Sequence, residues 1–413
     1  MKILHLSTSD IEGGAARSAY RLHRGLRTIG LESQMLVRAK FSIDESAVSD
    51  KKFITRLGPF FNTLPLKYLY PNRDSQPFSP QWFPDGLASE VNRLNPDIID
   101  LHWICNGFLK VETLTHFQKP LIWTLHDMWA FTGGCHYNQN CDKYKNSCGA
   151  CPQLESNRDS DISRWIWKRK SKAWKDLNLT IVTPSQWLAQ CASESSLFSQ
   201  RPIKVIPYGL DTSTYKPMPK SVARDLLNLP QDRPLILFNS MSSKDTRKGF
   251  ALLQQALQSL SHQQNDRQQM ELMILGATQP NTPDNLGFKA HYLGRFGDDI
   301  SIALVYNAAD VFVAPSLQDN LPNTILEAMA CGVPSVAFNI GGMPDMIDHE
   351  SNGYLAQPFD IKDLAEGIVW VLKDSERYQK LSDQSRKKAE QEFPLDLQAY
   401  RYQSLFKEIL SAM

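Results

Sequence analysis

No stretch of this chain holds the roughly 18 consecutive apolar residues that a membrane-crossing helix needs, although 42% of its 413 residues are hydrophobic. That apolar content is therefore available for soluble cores large enough for two domains, and contact with a membrane would have to be peripheral. The opening MKILHLSTSD carries an apolar run too short for a signal h-region and reads as a first strand, so a cytoplasmic setting is expected. Charge of one sign is also lacking. With 45 Lys+Arg against 44 Asp+Glu the net charge is +1, without the basic excess that general nucleic-acid binding uses. No G-x-G-x-x-G follows the first strand, which argues against a nicotinamide cofactor. Cysteines are few, seven in all, yet four stand together in TGGCHYNQNCDKYKNSCGACP, from Thr132 to Pro152, as C-x5-C-x6-C-x2-C.

Apolar strand-length runs alternate with helix-period segments along the whole chain, the pattern of parallel sheets covered by helices. KILHLS precedes a helix in which Ala19, Leu22, Leu26 and Ile29 recur at helical spacing before Gly30 ends it. Strands are expected at SQMLVRA, DIIDLHW, PLIWTLH and LTIVTPS. The alternation restarts after about residue 205 with PLILFNS, MELMILG, HYLGRF, DVFVAPS and PSVAFN. Two sheets imply two similar domains, 1–204 and 205–394, with IKVIPYGLDTSTYKPMPK as the linker. The last helix, about 395–413, fits either domain by pattern.

Ligands of open parallel sheets sit beyond the carboxyl ends of the strands, so chemistry is sought in the loops there. After the first strand, Gly13 and Gly14 open a helix whose free N–H groups suit an anion or a sugar hydroxyl. His126, at the end of PLIWTLH, can orient or polarise a substrate, or can be a satisfied core residue. Lys244, Arg247 and Lys248 cluster after PLILFNS, where a diphosphate would be neutralised. In VAPSLQDNLPNTILEAMACGVPSVAFNIGGMPDMI, Pro322 marks a helix start and Gly332 its end. Asp319 is then placed in the loop, Glu327 just inside the helix, and the amides near Asn323 and Thr324 face any bound anion. A Gly341–Gly342 turn follows. Arg295, in HYLGRFGD, offers a flat side chain to a base.

PS-x-x-D-x7-E-A-M-A-x-G-x-P followed by GG, with a preceding K-G, resembles the retaining glycosyltransferases of family 4, which have the GT-B fold: two Rossmann-like α/β lobes with parallel sheets facing a central cleft. IPYGLD and TPSQWL are similar to further segments of that family. The resemblance implies that Glu327 binds the nucleotide ribose, that Asp319 takes the place of an acid usually Glu, one methylene longer, near the donor sugar, and that Lys248 binds phosphate. Position 243 is Ser where the family has Arg, and Lys244 or Arg247 stands in for it. Gly13 and Gly14 match the N-lobe glycine loop, and His126 a His near the donor sugar. The implied activity is transfer of a sugar from a nucleotide sugar, UDP- or GDP-linked, to a saccharide or lipid-linked acceptor with retention. An acceptor lobe (1–204, plus the last helix crossing back) would join a donor lobe (205–394). Catalysis in this family requires no metal, and no D-x-D stands in a fitting loop. A two-lobed binding protein or epimerase without transferase activity is the alternative reading.

The acceptor lobe adds two features. Residues 51–83 and RWIWKRKSKAWK mix basic and aromatic residues, which suits either a lipid headgroup interface or an amphipathic helix packing its tryptophans inward. Cys135, Cys141, Cys148 and Cys151 fit a structural zinc, with His136 or Asp142 as substitutes. Disulfides or buried thiols are the other readings.

Overall fold

The computed structural model describes residues 1–50, 52–239, 246–263, 270–278 and 286–412, without the side chains of 262 and 263. They form two compact units, Met1–Gly209 with Leu395–Met413, and Leu210–Pro394. Lys244 lies outside the described residues.

The first unit is built on a seven-stranded parallel sheet of order β3-β2-β1-β4-β5-β6-β7. Its strands are β1 (Lys2–Ser9), β2 (Glu32–Ala39), β3 (Ala47–Ser49), β4 (Ile98–Leu101), β5 (Leu121–Thr124), β6 (Leu179–Thr183) and β7 (Ile203–Val205). Every residue of β4, β5 and β6 is buried. A parallel sheet covered on both faces demands this, and it explains the unbroken apolar runs. Ile203–Val205 was expected in the linker but pairs with β6, so the division falls after Gly209 rather than at 204/205. Flanking prolines at 202 and 207 disguise this short edge strand. The helix Leu395–Ser411 packs on Gly14–Thr28, with Tyr402 and Phe406 joining Leu22, Leu26 and Ile98 in one cluster.

The second unit repeats the plan with six parallel strands in the order β10-β9-β8-β11-β12-β13. These are β8 (Leu235–Asn239), β9 (Glu271–Leu275), β10 (Ala290–Gly294), β11 (Val311–Ala314), β12 (Ser335–Phe338) and β13 (Gly353–Ala356). The strand order reverses between β1 and β4 in the first sheet and between β8 and β11 in the second. Such reversal points are where open parallel sheets bind ligands.

Candidate active site

In the second unit the loops after β8 and β11 meet. The Lys248 ammonium is 2.7 Å from Asp319 Oδ2, and the Arg247 guanidinium is 3.4 Å from the same oxygen. Arg247 also donates to the Gln318 carbonyl, and its own carbonyl accepts from the Leu317 amide. Asp319 Oδ1 takes the Asn320 amide at 3.0 Å. Burial opposes ionisation of Asp319, but the Lys248 and Arg247 charges outweigh it and bring its carboxyl down to about 2.

Two glycines make this approach possible. A Cβ on Gly249, at φ +70°, would lie 1.7 Å from the Pro315 carbonyl oxygen, and one on Gly341, at φ +54°, would lie 2.0 Å from the Asp319 carbonyl oxygen. Gly342 donates its amide to that same oxygen. The K-G and G-G pairs are thus two places where backbone presses against the β11 loop.

The helix Asn323–Ala330 starts directly after this loop, with Pro322 as its extended N-cap rather than inside its first turn. Asn323 and Thr324 supply its first amides. Glu327 is buried and accepts the Tyr306 hydroxyl at 3.1 Å, while burial and this carboxylate push the Tyr306 phenol well up. Tyr306 had no signal in the sequence beyond a helix-period position. Arg295 is exposed at the end of the edge strand β10, its guanidinium on the Gly276 carbonyl.

In the first unit Gly13, at φ +91°, caps Gly14–Thr28 without a side-chain cap bond. The loop before it is fixed by fully buried Asp10, which accepts the amides of Ile11, Phe41 and Ser42. His126 is buried, with Nδ1 2.6 Å from the Tyr208 hydroxyl and Nε2 3.1 Å from His102 Nδ1. Burial pulls its imidazole down to about 3, so it is neutral near pH 7. Both ring nitrogens are engaged inside the unit, which favours an orienting role over direct proton transfer. Beyond His102 lies His5, on β1 beside Asp100 of β4. Sequence reasoning passed over His5 because a His inside an apolar strand looks like filler.

The cysteine stretch is braced from several sides. Asp127 accepts from Trp103 Nε1 at 2.9 Å and sits 2.6 Å from His136 Nδ1, while His136 Nε2 meets Ser79 Oγ at 2.9 Å. With both nitrogens so held, His136 is withdrawn as a substitute ligand, and Asp142 is largely exposed. Lys170, completely buried over the Trp129 ring, donates to the Trp129 and Thr132 carbonyls. Cys135, Cys141, Cys148 and Cys151 are thiols that line one cavity of about 20 Å³, room for a single small occupant. Among the described residues, the group of potential ligands whose donor atoms all lie within 4.8 Å of one another is His5, Asp100 and His102.

The two basic-aromatic segments part company. In Ile162–Trp174, Ile166, Lys170 and Trp174 are buried and Arg169 pairs with Glu112, while Trp165, Lys168 and Lys172 are exposed, so this helix turns only part of its charge and aromatic surface inward. In Phe53–Leu69, by contrast, Phe53, Phe60, Tyr68 and Leu69 are exposed beside Arg56 and Lys67. No described helix is long and apolar enough to cross a membrane.

Residues 12–214 match the model of Glycosyltransferase Family 4, and residues 233–374 match that of Glycosyl transferases group 1. The chain belongs to the family 4 glycosyltransferases. This transferase is 26% identical over 361 residues to the putative colanic acid biosynthesis glycosyl transferase WcaC of Escherichia coli K12, covering 82% of this chain and 83% of the relative. Its fold is GT-B. The sucrose-phosphate synthase of Thermosynechococcus elongatus superposes with a TM-score of 0.72 at 19% identity, covering both chains completely. Anabaena HepE in complex with UDP-glucose gives 0.67 at 18% identity, again over the whole of both.

Proposed function

We propose that this transferase moves a hexose, with retention, from a nucleotide sugar held by the Leu210–Pro394 unit to a saccharide or lipid-linked acceptor held by the other unit. The observation carrying this reading is the pair of cations on Asp319 where the β8 and β11 loops meet, next to the helix start at Asn323. A leaving diphosphate needs fixed positive charge that requires no reorganisation as the bond breaks. Lys248, Arg247 and the first amides of Asn323–Ala330 supply it, and Glu327 takes the ribose hydroxyls. The departing phosphate then accepts the acceptor's proton, so no protein nucleophile is needed. His126 and the Gly13–Gly14 turn orient the sugar. UDP-glucose bound to HepE supports a UDP-linked donor, and the similarity to WcaC, a putative colanic acid biosynthesis transferase, supports cell-surface polysaccharide synthesis.

The test is a binding screen of UDP-, GDP- and ADP-sugars followed by product analysis. Lys248→Ala is expected to lower kcat by roughly 10²- to 10³-fold, the scale of losing one preorganised donor to a developing anion. Near-wild-type turnover in that variant would remove Lys248 from the site. Sugar phosphate or epimer in place of a glycoside would remove the transfer itself.

Two further assignments belong to the acceptor-side unit. Cys135, Cys141, Cys148 and Cys151 would hold one structural zinc as thiolates, which would brace the loop they share. The exposed face of Phe53–Leu69 rests on anionic lipid at the inner face of the membrane, its aromatic rings at the headgroup level.

A further inference from the structure

Four buried histidines of the Met1–Gly209 unit form an unbroken hydrogen-bonded chain. From His126 Nε2 the chain runs to His102 Nδ1 at 3.1 Å, and from His102 Nε2 to His5 Nδ1 at 2.9 Å. His5 Nε2 meets Ser33 Oγ at 3.1 Å, and Ser33 Oγ meets His23 Nδ1 at 2.8 Å. His23 Nε2 reaches Ser46 Oγ at 2.9 Å, and Ser46 donates to Asp44 Oδ1 at 2.5 Å. At the other end, His126 Nδ1 is 2.6 Å from the Tyr208 hydroxyl.

The direction of every hydrogen in this chain follows from one end of it. A carboxylate only accepts, so the single Ser46 hydroxyl hydrogen goes to Asp44. Arg27 also donates to Ser46 Oγ, at 2.6 Å. The bond between Ser46 and His23 must then be donated by His23 Nε2. A neutral imidazole has one N–H, which makes His23 Nδ1 an acceptor of the Ser33 hydrogen. Ser33 has no second hydrogen, so His5 Nε2 donates to it. The same step repeats inward: His102 Nε2–H to His5 Nδ1, His126 Nε2–H to His102 Nδ1, and the Tyr208 hydroxyl to His126 Nδ1.

We propose that Asp44 fixes the tautomer of His126 through this chain, which makes Ser33, His5 and His102 positioning residues for the His126–Tyr208 end. All four histidines are then Nε2–H. Neutrality is supported by burial, which lowers His5, His23 and His126. The charged groups facing the chain are Arg27 and Asp44 at its outer end, Asp100 in its middle and Asp127 beside His126. Asp100 Oδ2 lies 3.3 Å from His5 Nδ1 and 3.2 Å from His102 Nε2, and Asp100 Oδ1 accepts from Thr124. The His102 proton therefore sits between His5 and a carboxylate, and a break at Ser33 hands control of the inner three rings to Asp100.

The experiment is long-range ¹H–¹⁵N NMR of the full chain with ¹⁵N-histidine, assigned by single His→Gln variants. Wild type is expected to show His5, His23, His102 and His126 as Nε2–H. In Ser33→Ala, His23 stays Nε2–H, while Asp100 draws the His5 proton to Nδ1, and His102 and His126 follow to Nδ1–H. Ser33→Thr, which restores the hydroxyl, returns them. An imidazolium or an Nδ1–H among the four in wild type overturns the proposal. So do unchanged His102 and His126 tautomers in Ser33→Ala. Stoichiometric divalent metal leaving both His5 Nδ1 and His102 Nε2 without hydrogen would overturn it too. If Ser33→Ala fails to fold, the wild-type spectrum still decides. The effect on catalysis rests on the function proposed above: kcat in Ser33→Ala should drop about tenfold or more with donor KM held, as for a misplaced substrate-orienting group. Shifted tautomers with unaltered transfer would keep the hydrogen-bond polarity and cut its link to turnover.

Discussion

The Lys248 ammonium and the Asp319 carboxylate form an ion pair at 2.7 Å, and Arg247 leans on the same oxygen at 3.4 Å. The acid therefore competes with any anionic ligand for the cations while it holds them in place. Asp319→Asn separates the two effects. Removing the competing charge is expected to tighten UDP binding, by about fivefold if the pair is worth the roughly 1 kcal/mol of a partly exposed bridge. Loss of the anchor should lower kcat in the same variant. Calorimetry with UDP and initial rates read the two separately. Weaker UDP binding would show that Asp319 touches the ligand directly.

The same pair sets an acid limit. The Asp319 carboxyl titrates at about 2 in the folded protein, against an ordinary 3.8. A depressed folded value means a stabilising contribution that is complete above about pH 4 and is lost as pH falls through about 2. Lys248→Ala removes the larger of the two attractive charges and should raise the carboxyl value, moving the loss to higher pH. Carboxyl ¹³C titration of Asp319 in both proteins checks the direction; an unmoved value in Lys248→Ala would contradict the pairing.

Gly341 bears on the Asp319 backbone rather than its charge. In Gly341→Ala the methyl would start 2.0 Å from the Asp319 carbonyl oxygen at φ +54°. The left-handed backbone alone costs about 1–2 kcal/mol, and the clash must displace the loop. Gly294, at φ +68° with open space around it, is the control for strain without collision. Gly341→Ala is expected to weaken donor binding at least tenfold while Gly294→Ala leaves it near wild type, the collision with the Asp319 carbonyl being the only difference in kind. Equal donor Kd values in both would disprove the close-approach account.

Much of this was legible in the sequence because parallel sheets write themselves as apolar runs, and the loops after β8 and β11 are punctuated by the glycines and prolines that their contacts require. The strands passed over, β3, β7 and β13, are all sheet edges of three or four residues. Edge strands bury little, so their composition stays mixed. The pairing of Lys248 with Asp319 was hidden because the two lie 71 positions apart. The histidine chain was hidden more deeply: His5, His23, His102 and His126 come from separate segments, and only the register of β1 against β4 sets His5 beside Asp100. In Ile162–Trp174 the basic-aromatic mixture was visible, but not the side on which Lys170 lies.

The cysteine cavity makes a compositional prediction. Burial raises the Cys148 thiol to about 11 and the Cys151 thiol to about 12. A zinc ion reverses this by binding thiolates. Native mass spectrometry should find one zinc per chain, lost in Cys148→Ser, with a chelator lowering Tm in wild type but not in the variant. A zinc-free wild type with all seven thiols reactive after unfolding would leave buried thiols as the reading.

Finally, membrane contact is assigned to one helix and not to the other. Phe53, Phe60, Tyr68 and Leu69 are each more than 60% exposed, on a helix that also carries Arg56 and Lys67. Each basic residue near an anionic surface adds about 1 kcal/mol, and the aromatic rings add apolar burial that does not depend on salt. Flotation with phosphatidylglycerol vesicles should therefore recover the protein at low salt. Phe53→Ser with Phe60→Ser should reduce recovery at every salt concentration, whereas Arg56→Gln with Lys67→Gln should reduce it most at low salt. Trp165→Ser, on the helix that buries Ile166, Lys170 and Trp174, should reduce it less, because that ring is 44% exposed against 74% and 63% for Phe53 and Phe60 and lies under the Arg169 guanidinium at 4.4 Å. A Trp165→Ser effect equal to that of the Phe53/Phe60 variant would move the contact to Ile162–Trp174, and absence of flotation with anionic and neutral vesicles alike would end the membrane assignment.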